Sequence, residues 1–544
     1  MTRTFEPIVT ESGPTRDEAA SGPEAGHPRR RAILVVLCLS LLVVVIDNTV
    51  LNTALPTLAR SLHAGTSSLQ WIVDAYTLCF AAMLIPAGAL GDRYGRRRSL
   101  LAGLVVFGLG SLAAAFATSA GMLIADRAVM GLGAAFVMPA TLSILNGVFP
   151  AGERPGAIAA WSAVAGVGIV IGPTLGGFLL AHAAWGAIFL VNVPLVLVAL
   201  GLVVGIVPET ADPRRRGLDV VGTVLAAVGL VAVVDAIIEA PGRGWTGPVT
   251  VAELLAGLVV LAVFVRWELR VASPLLDLRV FTSRSFSAAA AAVTVIFFSL
   301  FGSLFALTQY LQLVHGYSPL SAGVRALPFA VAMGAASAVS TGLAGRFGSR
   351  VVITAGLVLM GTGLAALSFV GVATAYPPLA LFVATMGAGM GLVMAPASTT
   401  IMAGVPAHQA GAGSAVNDTV REVGGALGVA SIGSLAAGLY AHRLGGQLST
   451  HHAPSVVVHA ATGSIAAADV IGARVGGSLG GQLVDAAHQA YVVGMAGGMR
   501  VAAGVAVAGA VACFLALPAR RAGGLATMSL PARPAVSEVV PSAV

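Results

Sequence analysis

The sequence predicts an all-α polytopic membrane protein with fourteen transmembrane helices, arranged as two six-helix halves plus two inserted helices. Composition gives the first indication, because 57% of the residues are hydrophobic and only 10% are charged, whereas soluble domains carry about 25% charged residues. The second indication is a series of apolar runs, each near the roughly 20 residues that a helix needs to cross a bilayer. The third is the placement of the arginines between those runs.

Fourteen apolar runs of suitable length follow one another along the chain. They fall near residues 32–54, 68–90, 99–118, 121–146, 155–181, 185–207, 218–239, 248–268, 286–312, 320–344, 351–371, 377–402, 408–440 and 491–517. A polar segment, residues 1–31, precedes them and is expected to be a disordered cytosolic tail. It is not a secretory signal, because the apolar run that follows its arginines is too long. Residues 441–490 are expected to form one long outside loop, and residues 518–544 a cytosolic C-terminal tail.

The arginines test the number of runs, since the chain has no lysine. If the N-terminus lies in the cytosol, the short outside gaps contain only Arg60 and Arg243. The inside gaps contain many more, namely Arg93, Arg96, Arg97, Arg98, Arg154, Arg214, Arg215, Arg216, Arg266, Arg270, Arg279, Arg284, Arg346, Arg350, Arg520 and Arg521. This asymmetry follows the positive-inside rule, and it predicts an even number of spans with both termini in the cytosol.

A weak internal repeat predicts that the two halves are related. Leu90–Arg97 follows the second run and Leu343–Arg350 follows the tenth, with a turn glycine and arginines at matching offsets. Two related six-helix halves with a substrate site between them are a known transporter plan. The expected division is therefore a bundle over residues 32–207, a two-helix insert with cytosolic linkers over 208–285, and a second bundle over 286–517.

Several other classes of protein are excluded by the residues. The net charge is +7, but the arginines lie in short gaps rather than on a polar surface that could bind nucleic acid. No phosphate-binding loop with Gly-x4-Gly-Lys is present, which argues against ATP as the driving force. The histidines at 442, 451, 452 and 459 lack zinc-motif spacing, and no catalytic constellation is found. The three cysteines, Cys38, Cys79 and Cys513, lie in apolar runs and are expected to be buried apolar side chains.

Asp47 and Arg127 are charged residues at membrane depth, where a charge is costly and commonly functional. Asp47 lies deep in the first run, and it can either load and release a proton or hydrogen-bond its neighbours and hold the bundle together. Arg127 lies in the fourth run, where it can bias the protonation of Asp47 or form a structural ion pair near the outer rim. The residues leave both alternatives open.

Other polar residues within the runs are weaker candidates. Asp74, Asp235 and Glu239 are candidates for a further acidic pathway. For Asp74 and Glu239 the alternative is an interfacial residue that reaches water. Arg421 has the spacing to pair with Asp418 or Glu422, which favours a structural pair. Asp92, beside the arginines of its loop, is a candidate for a latch between helices. The sequence leads us to expect a mostly apolar cavity, with Asp47 as its charge and Asp235 as a further candidate.

These segments together resemble the Major Facilitator Superfamily, specifically its fourteen-helix drug:proton antiporter branch. The resemblance covers about residues 30–520. It rests on Gly88–Arg98, similar to motif A; Ile46–Pro56, similar to the branch's first-helix pattern; Arg127 with Gly131, similar to motif B; Gly168–Gly177, similar to motif C of exporters; and Asn417–Gly428, similar to a segment of the penultimate helix.

The resemblance implies a proton-coupled antiporter that exports amphipathic drugs or antibiotics, cationic ones included, across the cytoplasmic membrane by alternating access. Its partners would be the small substrate, protons and the lipid bilayer, in a monomer with neither cofactor nor metal. It assigns proton coupling to Asp47 and Arg127. It assigns a cytosolic gate to Gly88, Asp92, Arg93, Gly95 and Arg97, an antiporter motif to Gly168, Gly172, Pro173, Gly176 and Gly177, and a penultimate-helix motif to Asn417, Arg421, Gly424 and Gly425.

The chain departs from the family pattern at two places. The tenth run lacks the acidic residue that some multidrug members use for divalent cations and has Arg325 near its outer end, which argues against export of dications. The second copy of motif A has Gly345 where Asp92 stands, so a latch would be one-sided. Two alternative functions are an exporter of one endogenous metabolite or lipid and a proton-linked uptake symporter. A membrane enzyme or receptor is a further alternative, which the lack of catalytic motifs disfavours.

Overall fold

The structure is a computed structural model that describes residues 26–150, 152–210, 219–271, 274, 278–404, 410–450 and 453–518. The predictions for residues 1–25, Arg214–Arg216, His451, His452, Arg520, Arg521 and the C-terminal tail from 519 onward lie outside these residues. The helices of the N-terminal half are α1 (Arg30–Ser61), α2 (Thr66–Tyr94), α3 (Arg96–Ala115), α4 (Ala120–Val148), α5 (Arg154–His182), α6 (Ala187–Leu190) and α7 (Asn192–Ile206).

Two helices follow as an antiparallel pair, α8 (Val220–Arg243) and α9 (Pro248–Glu268), before the C-terminal half begins. The helices of that half are α10 (Arg284–Gln309), α11 (Pro319–Arg325), α12 (Leu327–Phe347), α13 (Ser349–Leu367), α14 (Tyr376–Ala403), α15 (Ala410–Thr450), α16 (Ser455–Gly463), α17 (Ile465–Val475) and α18 (Gly477–Ala516). The expected all-α architecture of two helical halves with an inserted pair is thus confirmed.

The helices have the length and surface of membrane spans. Thirteen helical segments among the described residues are long and apolar enough to cross a bilayer, where α6 with α7 and α11 with α12 each count as one segment. α5 contains residues that the structure does not describe and is not one of the thirteen, so the number fourteen stays a prediction. Large apolar side chains face outward on α3, α7 and α9, where Leu109, Leu197 and Val259 are 62%, 63% and 60% exposed. Such a belt is stable in lipid and not in water, which makes this a multi-pass membrane protein.

Prolines divide two of the predicted runs. The run near 185–207 forms α6 and α7, because Pro194 has no N–H to bond the carbonyl of Leu190. The run near 320–344 forms α11 and α12, and the break falls at Ala326, before Pro328. The connection expected over residues 441–490 also differs in form, because it consists of the end of α15, the short helices α16 and α17, and the start of α18.

The internal repeat is visible in two matching turns. Gly95 joins α2 to α3 at a φ of 115°, and Gly348 joins α12 to α13 at a φ of 89°, a region that favours glycine. The packing of the neighbouring helices also repeats. A Cβ atom on Gly131 of α4 would collide with the backbone of Tyr76 in α2, and one on Gly387 of α14 would collide with the backbone of Phe329 in α12. The two halves therefore share one design.

The halves are joined at the end of the molecule that carries the α1–α2 turn. Gln70 of α2 donates hydrogen bonds to the carbonyl oxygens of Val429 and Ala430 in α15, at 2.9 and 3.0 Å. Gln312, in the π-helical turn Tyr310–Val314 after α10, donates to the carbonyl oxygen of Thr53 in α1 at 2.7 Å. The hydrogen bonds of Gln70 and Gln312 each cross from one half to the other. We call the end of the molecule at which they lie the joined end.

Candidate functional site

Asp47 and Arg127 form an ion pair inside the N-terminal half. Asp47 lies on α1 and Arg127 on α4, and the carboxylate Oδ2 is 2.5 Å from the guanidinium Nη1. Their side chains are 1% and 0% exposed. Each buried charge therefore depends on the other for its stability.

A chain of hydrogen bonds extends the pair to two more helices. Asn192, the first residue of α7, donates from Nδ2 to Asp47 Oδ1 at 2.9 Å and to the hydroxyl of Ser111 in α3 at 3.1 Å. Ser111 in turn donates to the carbonyl oxygen of Phe189 at 2.8 Å. Both oxygens of Asp47 are thereby satisfied, as a buried carboxylate requires. Sequence reasoning missed Asn192, because an amide within an apolar run is a weaker signal than a charge.

Arg127 is held on its other side by α2. Its Nε donates to the carbonyl oxygen of Ile72 at 3.2 Å, and its guanidinium carbon lies 4.3 Å from the ring centre of Tyr76. Its Nη2 and the Tyr76 hydroxyl are buried without a hydrogen-bond partner. Two donors beside the pair are therefore left unsatisfied in this conformation, which is a costly arrangement.

A cavity lies between the two halves, on the opposite side of α1 from Asp47. Thr49, Asn52 and Thr53 of α1 line it together with Pro173 of α5. The C-terminal half contributes a mostly apolar wall from α10, α11, α12 and α14. Neither Asp47 nor Asp235 is among the described lining residues, where Arg325 is the charged side chain. The expectation of an apolar cavity is confirmed, but the expectation for its charges is wrong, because Asp47 faces α4 and α7.

The glycines of α5 bring that helix against both halves. A Cβ atom on Gly172 would lie 2.7 Å from the Cβ of Thr49, and Gly168 and Gly176 lie against Val45 and Val50 in the same way. Gly177 lies against the backbone of Pro319 and Leu320 in α11. Close approach of this kind needs glycine. The glycines of the predicted antiporter motif therefore form the contact of α5 with α1 and α11, and Pro173 of the same motif lines the cavity.

The further acidic candidates do not meet in one pathway. Asp74 is 0% exposed, and neither of its carboxyl oxygens has a hydrogen-bond partner, so the alternative that it reaches water is wrong. Asp235 pairs with Arg243 at 3.2 Å, and Arg243 also pairs with Glu253 of α9 at 2.8 Å. Glu239, one turn along α8, is part of the same electrostatic cluster. The structure therefore separates a buried acid in α2 from an ion-pair cluster in the inserted helices.

The loop between α2 and α3 makes its contacts within the N-terminal half. Asp92 pairs with Arg96 at 2.8 Å, and not with Arg93 or Arg97. Arg97 donates to the carbonyl oxygen of Val204 at 2.6 Å. Gly95 lies against the carboxylate of Glu209, and Gly88 lies against Pro139 of α4. The predicted gate residues are thus together in one turn, without a described hydrogen bond or ion pair to the C-terminal half.

The segment in α15 has mainly a packing role in this conformation. Arg421 pairs with Asp418 at 3.3 Å, one of the two pairs that the spacing allowed. Asn417 accepts a hydrogen bond from Ser398 of α14 at 3.2 Å. Gly424 and Gly425 lie against Thr294 and Phe301 of α10. Among the described residues no group of three His, Cys, Asp or Glu side chains converges as metal ligands.

Comparison with known proteins places this geometry in a family. The profile described as the Major Facilitator Superfamily matches residues 37–429. The chain belongs to this superfamily. Its fold is that of a superfamily transporter.

Named relatives cover most of the chain. It is 38% identical over 408 residues to the multidrug resistance protein Stp of Mycobacterium tuberculosis, covering 74% of this chain and 75% of the relative. It is 37% identical to the multidrug efflux pump LfrA of Mycolicibacterium smegmatis, covering 88% and 94%. It is 33% identical to the tetracenomycin C resistance and export protein of Streptomyces glaucescens, covering 92% and 95%.

A solved structure of the superfamily has the same fold. A bacterial homologue of the human lysosomal transporter Spinster, in an inward-facing and unoccupied conformation, superposes with a TM-score of 0.63 at 18% identity, covering 90% of this chain and 98% of that one. The likeness extends over most of both chains and supports the fold described above.

Proposed function

We propose that this protein is a proton-coupled antiporter that exports amphipathic drugs or antibiotics across the cytoplasmic membrane by alternating access. The observation that carries the proposal is the position of α1, which has the buried Asp47–Arg127 pair on one side and the cavity on the other. If protonation of Asp47 moves α1, the wall of the cavity therefore moves with it. The relatives named for multidrug resistance and efflux support a drug-like substrate.

Proton coupling follows from what protonation does to the pair. When Asp47 takes a proton, Arg127 loses its counter-charge while it stays buried, and an uncompensated buried charge is strongly destabilising. The conformation described above is then disfavoured relative to one in which Arg127 reaches water or another acceptor. Because protonation has a different free energy in the two conformations, it shifts the equilibrium between them.

The orientation of the cycle rests on the predicted topology, with both termini cytosolic. In that topology the joined end faces outward, so this conformation is closed to the outside. Asp92 lies at the predicted cytosolic end, and its described ion-pair partner, Arg96, belongs to the same half. This is consistent with halves that are separated on the cytosolic side. Substrate then enters the cavity from the cytosol and leaves after the joined end opens.

Asp74 is our candidate for a second proton site. A carboxylate that is fully buried and lacks a partner is unstable as an anion, so we infer that Asp74 is neutral in this conformation. It lies on the α2 face near Gln70, where the halves are joined, and opening of that end would expose it. Asp235 and Glu239 belong to the cluster around Arg243 and are not assigned to the proton path.

A dedicated exporter of one endogenous compound is the second candidate. It is favoured by relatives whose names specify a single antibiotic, such as tetracenomycin C and the puromycin resistance protein pur8 of Streptomyces alboniger, which is 37% identical and covers 78% of this chain. The two candidates share a mechanism and differ only in the range of substrates.

The test uses everted membrane vesicles that are energised to be acid inside, with a panel of amphipathic dyes and antibiotics. Release of protons on substrate addition is followed with a pH-sensitive dye for the wild type, Asp47→Asn and Asp235→Asn. We expect the wild type and Asp235→Asn to respond and Asp47→Asn to lose the response. A response that survives in Asp47→Asn would contradict the assignment of coupling to Asp47, and a response to one compound alone would favour the dedicated exporter.

A further inference from the structure

Arg325 is the charged residue of the cavity wall among the residues that the structure describes there. The other described lining side chains are aliphatic, aromatic or neutral polar, and no carboxylate is among them. Arg325 also takes part in none of the ion pairs found among the described residues. A permanent positive charge thus faces an apolar cavity without a counter-ion among the described residues, which is energetically costly.

Aromatic rings hold this guanidinium in place. Its central carbon lies 3.9 Å from the ring centre of Tyr317 and 5.1 Å from that of Tyr376. Nη1 donates to the carbonyl oxygen of Ser321 at 3.2 Å and also contacts its hydroxyl group. Nε is buried and has no hydrogen-bond partner. The group is therefore fixed between two rings with donor capacity left over, as in a preorganised anion site.

The break between α11 and α12 lies at the same point, where the C-terminus of the seven-residue helix α11 meets the N-terminus of α12. Ala326 and Leu327, at the break, line the cavity, and the N-terminus of the 21-residue helix α12 begins there. A helix N-terminus favours negative charge, and broken helices present such ends to anionic substrate groups in other transporter folds. Burial and then the charge of Arg325 lower the pKa of the nearby His315, so this ring is neutral at pH 7 and Arg325 remains the local cation.

We propose that Arg325 binds a negatively charged group of the substrate, so that the cavity accepts amphipathic aromatic molecules that carry an acidic group, a carboxylate or a phenolate. The apolar wall, with Phe297 and Phe301, takes the ring system, and the acidic group meets Arg325 between Tyr317 and Tyr376. The inference deepens the proposed function and rests on it in one respect only, that the cavity is the substrate site.

The experiment compares two dyes that share a xanthene ring system, the anion fluorescein and the cation rhodamine 123. Saturable binding to the full-length protein in nanodiscs of zwitterionic lipid is measured by fluorescence polarisation for the wild type, Arg325→Gln and Arg325→Lys. Arg500→Gln is the matched control, because Arg500 is an exposed arginine on α18 that is not among the lining residues. No proton gradient is used, so the result does not depend on coupling or direction.

We expect the wild type to bind fluorescein more tightly than rhodamine 123. Arg325→Gln should weaken fluorescein binding about 10-fold, the usual effect of losing a hydrogen bond to a charged group. Arg325→Lys should keep most of the anion preference because it keeps the charge, and Arg500→Gln should change neither affinity. Retained rhodamine 123 binding shows that Arg325→Gln is folded.

Three outcomes would overturn the proposal: no saturable fluorescein binding to the wild type, unchanged fluorescein binding in Arg325→Gln, or an equal loss in Arg500→Gln. If Arg325→Gln does not fold, a competition experiment on the wild-type protein tests the same charge preference. Benzoate should displace fluorescein from the wild type at concentrations where benzylammonium does not, and equal displacement by both would contradict the charge preference. Failure of the vesicle experiment on Asp47 would leave this binding result unaffected.

Discussion

At the scale of single residues, the proposed mechanism depends most on the pair formed by Asp47 and Arg127. Each side chain is buried, and each is stable because the other is present. A structural pair and a proton-coupling pair share this geometry, so burial and distance do not separate them. They differ in what happens when both charges are removed together, because a structural pair can be replaced by neutral groups without loss of function.

A double-mutant cycle separates the two roles. We expect Asp47→Asn and Arg127→Gln each to destabilise the protein by about 3–5 kcal/mol, because each leaves one unpaired buried charge. The double variant should regain most of that stability while proton-coupled transport stays absent. Thermal unfolding and vesicle transport are the two measurements, and transport in the double variant would show that the pair is structural.

The partners of this pair mark the limit of what residue types alone reveal. Asp47 and Arg127 stand out in the sequence because charges are rare in apolar runs, and the structure brings them together. Asn192, Ser111 and Tyr76 complete the site, but amides, hydroxyls and rings are common in membrane helices and gave no comparable signal. The direction in which a side chain points around a helix also decided the cavity's charge, since Asp47 and Thr49 face opposite sides of α1.

At the scale of helices, α5 and α1 are in close contact beside the site. It depends on Gly172, where a Cβ atom would lie 2.7 Å from the Cβ of Thr49. Because Thr49 lines the cavity and Asp47 lies half a turn away, the fit of α5 sets the position of the helix that connects the two sites. Hydropathy predicted these helices well, since it depends only on composition. It did not predict the breaks at Ala326 and in the sixth run, which depend on single prolines.

Substitution at Gly172 tests this contact. Gly172→Val should separate α1 from α5 and reduce transport at least 10-fold, because helix movements of about 1 Å at a functional site commonly cost 10²-fold in activity. Gly201→Ala in α7 is the control, since no atom lies within 4 Å of its added Cβ, and it should leave transport unchanged. Expression, thermal unfolding and vesicle transport are measured for both. Normal transport in Gly172→Val would show that close packing of α5 is not required.

For the whole molecule, the arrangement of the halves defines which side is closed. Gln70 and Gln312 join them at one end, and the hydroxyl of Thr66, at the start of α2, donates to the carbonyl oxygen of Gly463 at 3.3 Å. Gly463 ends α16, so the short helices after α15 take part in closing this end. The repeat of the Gly95 and Gly348 turns was detectable in the sequence, but contacts between residues this far apart in the chain were not.

Cross-linking at the joined end tests alternating access. In a background with the three natural cysteines replaced by alanine, Thr66→Cys with Gly463→Cys should be linked by a short bifunctional methanethiosulfonate, with loss of transport that a reductant reverses. Arg30→Cys with Glu153→Cys links α1 to the start of α5, where the natural residues pair at 2.7 Å, and this control lies within one half. Full transport by the cross-linked Thr66–Gly463 pair would contradict opening at this end.

The separation of Asp47 from the cavity by the thickness of α1 also determines how acidity and substrate influence each other. Two ligands that share one carboxylate exclude each other. Raising the concentration of either ligand then lowers the apparent affinity for the other without limit. In the proposed mechanism the proton binds at Asp47 and the substrate binds in the cavity, so both can be bound at once. Their interaction is then a heterotropic linkage of fixed size that is equal in both directions. The apparent substrate affinity should therefore level off in acid instead of continuing to fall. An inhibitor that fills the cavity would leave Asp47 free to exchange its proton.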